Sequence, residues 1–474
     1  MGRRVLLLSV NQYDFPYTVF PLGLAQVDAA LVRAGHVTRI VDFNVNLRPV
    51  EEIVSEFQPD VVGVSLRNID DVLISKRDTF FDDLPRLVGE LRLHSRAPIV
   101  LGGSGFSIFP TELLTATGAD YGIHGEGEDL FPELIEILAR GGDPRDLSGL
   151  VYRKDGTARV NPRSGMVAPK DIPCASRQDS FVEHYLQSSS MLNLQTQRGC
   201  AFRCCYCTYP LLEGTRYRRR PADAVADELE EMEKQGVKYV FIVDSVFNTS
   251  ASHVSAICEA ILKRKLQIKW CCFLRPKGLT RELMQLMVRA GLKHVEFGSD
   301  SFSDAVLHEY GKGLEFDDIL QSSRHAAAAK IDFAHFLICG GPGETMETLN
   351  ETFANSRRLP ATTIMARVGM RVYPGTPLYQ RMAGDHGAET LPPLLEPVYY
   401  ISPALSEDVI FAQLRQAAKD MPNWIFDDPP PGYFKFAERL RTKGFVGPLW
   451  SYFPMLQRLG KIGETTPSVA TSAV

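Results

Sequence analysis

The sequence predicts an α/β protein with two successive strand–helix units and a smaller C-terminal segment, and three observations predict it. Short, unalternated apolar runs recur about every 20–35 residues through the first 140 or so, with helical periodicity between them. A second series of the same kind runs from about residue 190 and contains about six β/α units. A stretch rich in proline and aromatic residues follows it. Apolar runs without alternation belong to parallel sheets covered on both faces. At 474 residues the chain also exceeds one ordinary domain. The expected divisions are residues 1–145, a linker with a hairpin over 146–190, a barrel-type unit over 191–385, and a capping segment over 386–474.

In the first unit, residues 5–10, 38–42, 61–65, 98–103 and 120–124 read as strands and 21–32 as a helix. Ligands of such sheets sit beyond the carboxyl ends of the strands. The residues found there are Asn11, Pro21, Gly23, Leu66, Arg67, Asn68, Gly102, Gly103, Gly125, Glu126, Gly127 and Glu128. The glycines among them permit close backbone approach to a bulky ligand. Lys154-Asp155-Gly156-Thr157 is a hairpin turn between two short strands. With the irregular stretch after it, this hairpin reads as a bridge between domains.

In the second unit the expected helices cover residues 221–235, 251–263 and 280–290, followed by one ending at 308. The first opens with Pro221, a residue suited to a first helical turn. Strands are expected over 239–244, 269–273, 294–298, 333–339 and 364–368. With the strand entering the cysteine loop this makes about six units, short of a closed eight-fold barrel. Periodicity alone equally allows a doubly wound sheet. In a barrel, function collects at the C-terminal strand ends. The polar residues there are Asp244, Ser245, Asn248, Arg275, Glu296, Ser299, Asp300, the turn Gly340-Gly341-Pro342-Gly343-Glu344, Arg371 and Tyr373. Residues 406–419 read as a helix. Tyr399, Tyr400, Trp424, Phe426 and Tyr433 are candidates to line a pocket under the cap.

Hydrophobic content of 45% and charged content of 23% are ordinary for a globular protein. A formal charge of −5 gives no electrostatic footprint for nucleic acid. The short run Tyr217-Arg218-Arg219-Arg220 is read as an anion contact or a loop anchor. Nine cysteines, an odd number with the isolated members mostly in apolar runs, indicate reduced thiols and a cytoplasmic setting. No run of 18 apolar residues exists, so no membrane span is expected.

Cys200, Cys204 and Cys207 are spaced to hold one small inorganic cluster in a tight loop. Thiolates are soft ligands suited to iron–sulfur clusters or zinc. No histidine or further Cys-x-x-Cys pair stands nearby to complete a zinc site. A three-ligand cluster with one open position is therefore the better reading, and a structural or zinc-binding loop the alternative. Cys205 reads as a packing residue.

The spacing Cys-x-x-x-Cys-x-x-Cys, with Tyr206 before the last cysteine, resembles the signature of the radical S-adenosylmethionine (SAM) superfamily over about 200 residues from about Leu192. The resemblance implies a partial (β/α)6 barrel, a [4Fe–4S] cluster on the three thiolates, SAM on the fourth iron and a 5′-deoxyadenosyl radical. Pro21-Leu22-Gly23-Leu24, residues 59–65, Gly102-Gly103 and Gly125-Glu126-Gly127-Glu128 resemble the Rossmann-like cobalamin-binding domain that precedes the barrel in many of these proteins.

Other cobalamin folds carry Asp-x-His-x-x-Gly after the first strand. Here that region reads Asn11-Gln12-Tyr13-Asp14-Phe15-Pro16, so the implied cobalamin is base-off and without a histidine ligand. Leu66, Arg67 and Asn68 are then the candidates beneath the ring. The same resemblance assigns Asp244, with Ser245 next to it, to the SAM amino group, and Glu296 and Ser299 to the ribose, while Arg275 suits the bidentate hold on the SAM carboxylate. Gly340 and Gly341 fall near adenine and methionine, and Arg371 lies in a stretch similar to one closing the barrel. The turn at Gly340 lacks the Lys-Ser/Thr of a phosphate loop.

The implied activity is cobalamin-dependent radical SAM methylation of an unactivated carbon of a small-molecule or natural-product substrate, by way of methylcobalamin. A cyclase or rearrangement enzyme on the same cofactors is the alternative, and a non-enzymatic cobalamin-binding sensor a third. An external electron donor of flavodoxin or ferredoxin type is expected as a partner.

Overall fold

The structure is a computed structural model that describes residues 2–12, 18–46, 48–386, 392–426 and 439–453. The N-terminal sheet begins with β1 (Arg4–Ser9), β2 (Val37–Asp42), β3 (Val61–Ser65), β4 (Ile99–Gly102) and β5 (Tyr121–Ile123). These five are parallel and run in the order β2-β1-β3-β4-β5. In β1, Val5 and Leu7 face one apolar cluster and Leu6 and Leu8 another, so the strand is buried on both sides. That explains the absence of alternation in the sequence. The strand order reverses between β1 and β3, which makes the space beyond their C-terminal ends the switch-point crevice of this fold.

The expected linker hairpin has another role. β6 (Leu150–Lys154) pairs antiparallel with β5, and β7 (Thr157–Val160) pairs with β6. The hairpin thus extends the N-terminal sheet to seven strands instead of bridging two domains.

The second sheet starts with β8 (Leu192–Leu194). A two-stranded ribbon, β9 (Gln197–Arg198) and β10 (Arg218–Arg219), then brackets the cysteine loop. β11 (Tyr239–Ile242), β12 (Lys269–Leu274), β13 (Leu292–Asp300), β14 (Asp332–Cys339) and β15 (Thr363–Val368) continue the parallel sheet from β8 in chain order. These six strands are the six units expected. The outward face of β11 to β13, including Val240, Ile242, Cys272, Val295 and Phe297, packs with the crossover helices Ala251–Lys263 and Arg281–Arg289. Phe241 and Cys271 point the other way, into the lumen, beside Met191 and Tyr239.

The C-terminal part departs from a separate cap. A small ribbon of β16 (Met370–Arg371) and β17 (Tyr399–Tyr400) leads to the helix Glu407–Asp420 and to β18 (Trp424–Phe426). β18 pairs parallel with β15, so this segment adds a seventh β/α unit. Trp424 is buried in the core beside Phe353 rather than lining a pocket. The lumen is plugged by the short 3-10 turn Leu449–Tyr452, from which Trp450 donates its Nε1 hydrogen to Glu296 Oε1 at 2.8 Å. Tyr433 lies outside the described residues. Cys258, Cys271, Cys272 and Cys339 are buried free thiols.

Candidate functional site

The cysteine loop is fixed by backbone. Gly199 has φ +91°, and a Cβ there would come within 2.1 Å of the Arg216 carbonyl oxygen. Only glycine fits such a crossing. Its N–H donates to Glu213 Oε2 at 3.0 Å and its carbonyl accepts from Ser245 Oγ at 3.1 Å. Cys200 N–H donates to the Gly214 carbonyl at 2.9 Å, and Cys207 N–H to that of Cys204 at 3.2 Å. Burial raises the Cys204 and Cys207 thiols above the ordinary value, Cys207 to about 12. Cys204 feels the charge of Cys200, and Cys207 that of both others, so the three stand in one neighbourhood. Cys205 turns away: its Sγ lies 3.7 Å from Met370 Sδ, in an apolar cluster with Val306 and Tyr310.

A second loop presses on the first. Gly311 has φ +68°, and a Cβ there would stand 2.7 Å from the Arg203 carbonyl oxygen. The next residue, Lys312, is buried and pairs with Asp300 Oδ2 at 2.8 Å, an oxygen that also accepts from Tyr206 Oη at 2.7 Å. Burial works against the Lys312 ammonium, yet Asp300 and Cys204 hold its pKa above the usual lysine value. The Arg275 guanidinium lies 4.3 Å from the Phe202 ring centre and donates to the carbonyls of Lys312 and Gly313. Lys312 was not among the expected site residues. Its signal is a cation between two glycines, Gly311-Lys312-Gly313, directly after a helix.

Several expected SAM contacts are otherwise engaged. Asp244 is fully buried, and its carboxylate accepts from Thr196 N (2.6 Å), Thr196 Oγ1 (2.5 Å) and Gln197 N (3.2 Å). It holds the approach to the cysteine loop, and burial raises its pKa to about 7. Glu296 is bonded to Trp450. Ser299 faces out of the barrel and bonds His335 Nδ1 at 2.7 Å. Gly341 N–H donates to Tyr310 Oη at 3.1 Å, and the Gly340 carbonyl accepts from Ser402 N at 2.7 Å. Gly340 N–H donates to the Glu344 carboxylate, so that turn is closed on itself. Arg371 is buried between the two sheets, with Nε donating to Asp70 Oδ2 at 2.8 Å.

The basic run after the loop anchors it. Arg218 pairs with Glu126, Arg219 reaches Thr249, and Arg220 pairs with Glu228.

A cavity of about 650 Å³ opens at the switch point, beyond the strand ends, and runs on into the barrel. Its N-terminal wall includes Pro21, Gly23, Arg67, Asn68, Gly102, Gly103, Gly125, Glu126 and Gly127. Its far wall includes Val243, Phe273, Thr208, Tyr209 and Glu213, from the barrel and the segment after the cysteine loop. Leu66 is not a lining residue: its side chain is in the core, and its carbonyl accepts from Gly105 N at 3.0 Å. Glu126 lines the cavity, but its carboxylate is tied to Arg198, Arg218 and Val167 N. Asn11 Oδ1 accepts from Arg67 N at 2.5 Å and Asn68 N at 3.3 Å, which fixes the turn that presents both.

Two family models match the chain. Residues 10–135 match the B12 binding domain and residues 194–354 the radical SAM superfamily. The chain thus joins a B12 binding domain to a radical SAM domain. It is 25% identical over 446 residues to a tryptophan 2-C-methyltransferase of Streptomyces laurentii, covering 80% of this chain and 74% of that protein. It shares a fold with the radical SAM methyltransferase TsrM from Kitasatospora setae, solved with cobalamin and a [4Fe–4S] cluster bound. The TM-score is 0.85 at 24% identity, over 97% of this chain and 99% of that one. The fold of the cobalamin-dependent enzyme OxsB matches with a TM-score of 0.76 at 17% identity, over 97% of this chain and 71% of that one.

The residues fit the cofactors of a cobalamin-binding radical SAM enzyme. Among the described residues no three His, Cys, Asp or Glu side chains converge on a single ion. Three thiolates on one loop are the soft donor set that an iron–sulfur cluster takes. For cobalamin, a Cβ on Gly23 or Gly102 would meet nothing within 4 Å, so both leave open space in the cradle. No histidine is among the described residues lining the cavity.

Proposed function

We propose that this chain is a cobalamin-dependent radical SAM C-methyltransferase, acting on an unactivated carbon of a small-molecule substrate. The observation that carries the reading is the single cavity, which joins the strand ends of the cobalamin domain to the barrel lumen beside the cysteine loop. When bound, cobalamin would supply the methyl carrier, and the cluster with SAM the 5′-deoxyadenosyl radical. Cys200, Cys204 and Cys207 would hold the cluster. Arg67 and Asn68, set by Asn11, would face the corrin with Pro21, Gly23, Gly102 and Gly103 around it. Ser245 and Arg275 stay beside the cysteine loop, where they fix its geometry and the approach to the open position. Val243, Phe273, Leu212 and Tyr209 offer an apolar carbon skeleton a surface between the two cofactors and exclude water from it.

Reduction of the cluster calls for an external one-electron donor of flavodoxin or ferredoxin type, in keeping with a cytoplasmic setting. Among the described residues no helix is long and apolar enough to cross a membrane. The test is incubation of the reconstituted enzyme with deuteromethyl-SAM, a reductant and candidate substrates. The expected outcome is a deuteromethylated product with 5′-deoxyadenosine and S-adenosylhomocysteine. Deoxyadenosine with a product of unchanged methyl content would instead favour a cyclase or rearrangement.

A further inference from the structure

Arg198, the residue before Gly199 and Cys200, is buried where the two sheets meet. Its guanidinium is divided between them. Nη2 donates to Gln26 Oε1 at 2.8 Å and to Glu128 Oε1 at 2.5 Å, and Nη1 to Glu126 Oε1 at 3.0 Å. Those three acceptors belong to the N-terminal sheet's side and line the cobalamin cavity. Nε donates to Gln195 Oε1 at 2.9 Å. From there the bonds continue into the cysteine loop. Gln195 Nε2 donates to Glu213 Oε1 at 2.9 Å, and Glu213 Oε2 accepts the N–H of Gly199 at 3.0 Å. One set of hydrogen bonds therefore runs from the cavity wall to the peptide that opens the cluster loop. Burial makes each of these bonds costly to leave unmade, so the set tolerates few alternative arrangements.

We propose that Arg198 is a positioning residue linking the two cofactor sites, so that cobalamin binding and cluster assembly each favour the other. A ligand that seats the Gln26, Glu126 and Glu128 side chains orders Arg198, and through Gln195 and Glu213 the Gly199 peptide. Thermodynamic reciprocity requires the effect to run equally in the opposite direction. The inference rests on the cofactor set and not on methyl transfer, and its test involves no turnover.

The full chain is titrated with hydroxocobalamin, followed by absorbance, once with the cluster reconstituted and once with iron removed by chelation. The cluster-loaded wild type is expected to bind at least about five-fold more tightly, the lower end of coupling between sites. In Glu128→Gln, which keeps the side-chain shape, the two affinities are expected to agree within about two-fold. Gln26→Leu is a second break in the same set that leaves every charge in place, and it should give the same result. The electron paramagnetic resonance spectrum of the reduced cluster should change on adding cobalamin to the wild type and stay constant in both variants. Equal wild-type affinities with and without the cluster would overturn the proposal. So would a full wild-type difference retained in both variants.

Discussion

At the inner face of the barrel, the Glu296 carboxyl accepts one hydrogen bond from Trp450 and has no salt bridge among the described residues. Burial raises its pKa from 4.5 to about 7. A carboxyl with a raised folded-state value contributes stability that is complete below about 4.5 and lost as pH climbs through 7. Glu296→Gln keeps an acceptor for Trp450 and removes the ionisation. Its stability is expected to match wild type at pH 4 and to exceed it at pH 8 by on the order of 3 kcal/mol, read from thermal melts at the two pH values. Asp244 and Glu344 are raised to about 7 for the same reason, so the variant should retain part of the wild-type pH dependence. The cysteines test the loop at the same scale. Alanine at Cys200, Cys204 or Cys207 is expected to abolish most cluster iron and sulfide, because a methyl group offers no soft ligand. Cys205→Ala should keep near-normal iron, since that thiol packs against Met370. Full cluster loading in Cys204→Ala would refute the ligand set.

At the scale of elements, the two glycines at the end of β4 divide by what surrounds them. Gly103 has φ +97°, and a Cβ there would come within 2.4 Å of the Leu66 carbonyl oxygen. Gly103→Ala should therefore destabilise the fold by roughly 1–3 kcal/mol in a denaturant titration, through strain in the turn carrying Arg67. Gly102 faces open cavity, so Gly102→Ala should leave stability nearly unchanged and weaken hydroxocobalamin binding. Equal effects of the two changes on stability would count against the cradle. The strands themselves were legible in the sequence, because burial on both faces leaves unalternated apolar runs. Side-chain direction was less so. Glu296 and Ser299, three residues apart on β13, cannot share a face of a strand with a period of two. The structure accordingly turns Glu296 and Asp300 inward and Ser299 outward to His335. The hairpin was visible as a turn, but its partner strand was not, since pairing with β5 leaves no local mark.

At the scale of the whole molecule, the contacts that hold the cobalamin sheet to the barrel join residues far apart in the chain. Such pairs leave no pattern at a fixed spacing, which is why Arg371 read only as a polar residue at a strand end, in a stretch closing the barrel. In the structure its guanidinium pairs with Asp70, both side chains at or below 1% exposure, and the remaining donors reach the Val372 and Leu394 carbonyls. Tyr373 donates to the other Asp70 oxygen at 3.3 Å. Asp70 and Tyr373 also line the cavity, so this pair sets how the two walls face each other. Removing one member strands the other charge away from water, a loss of about 3–5 kcal/mol. Replacing both removes the uncompensated charge. Arg371→Met is thus expected to lower stability sharply and to weaken hydroxocobalamin binding. Asp70→Asn combined with Arg371→Met should recover much of the stability, because no charge is left buried alone. Affinity for hydroxocobalamin should recover less, since the neutral pair no longer fixes the angle between the walls. Purely additive effects in this double-mutant cycle would show that the pair does not act as the joint between cobalamin sheet and barrel.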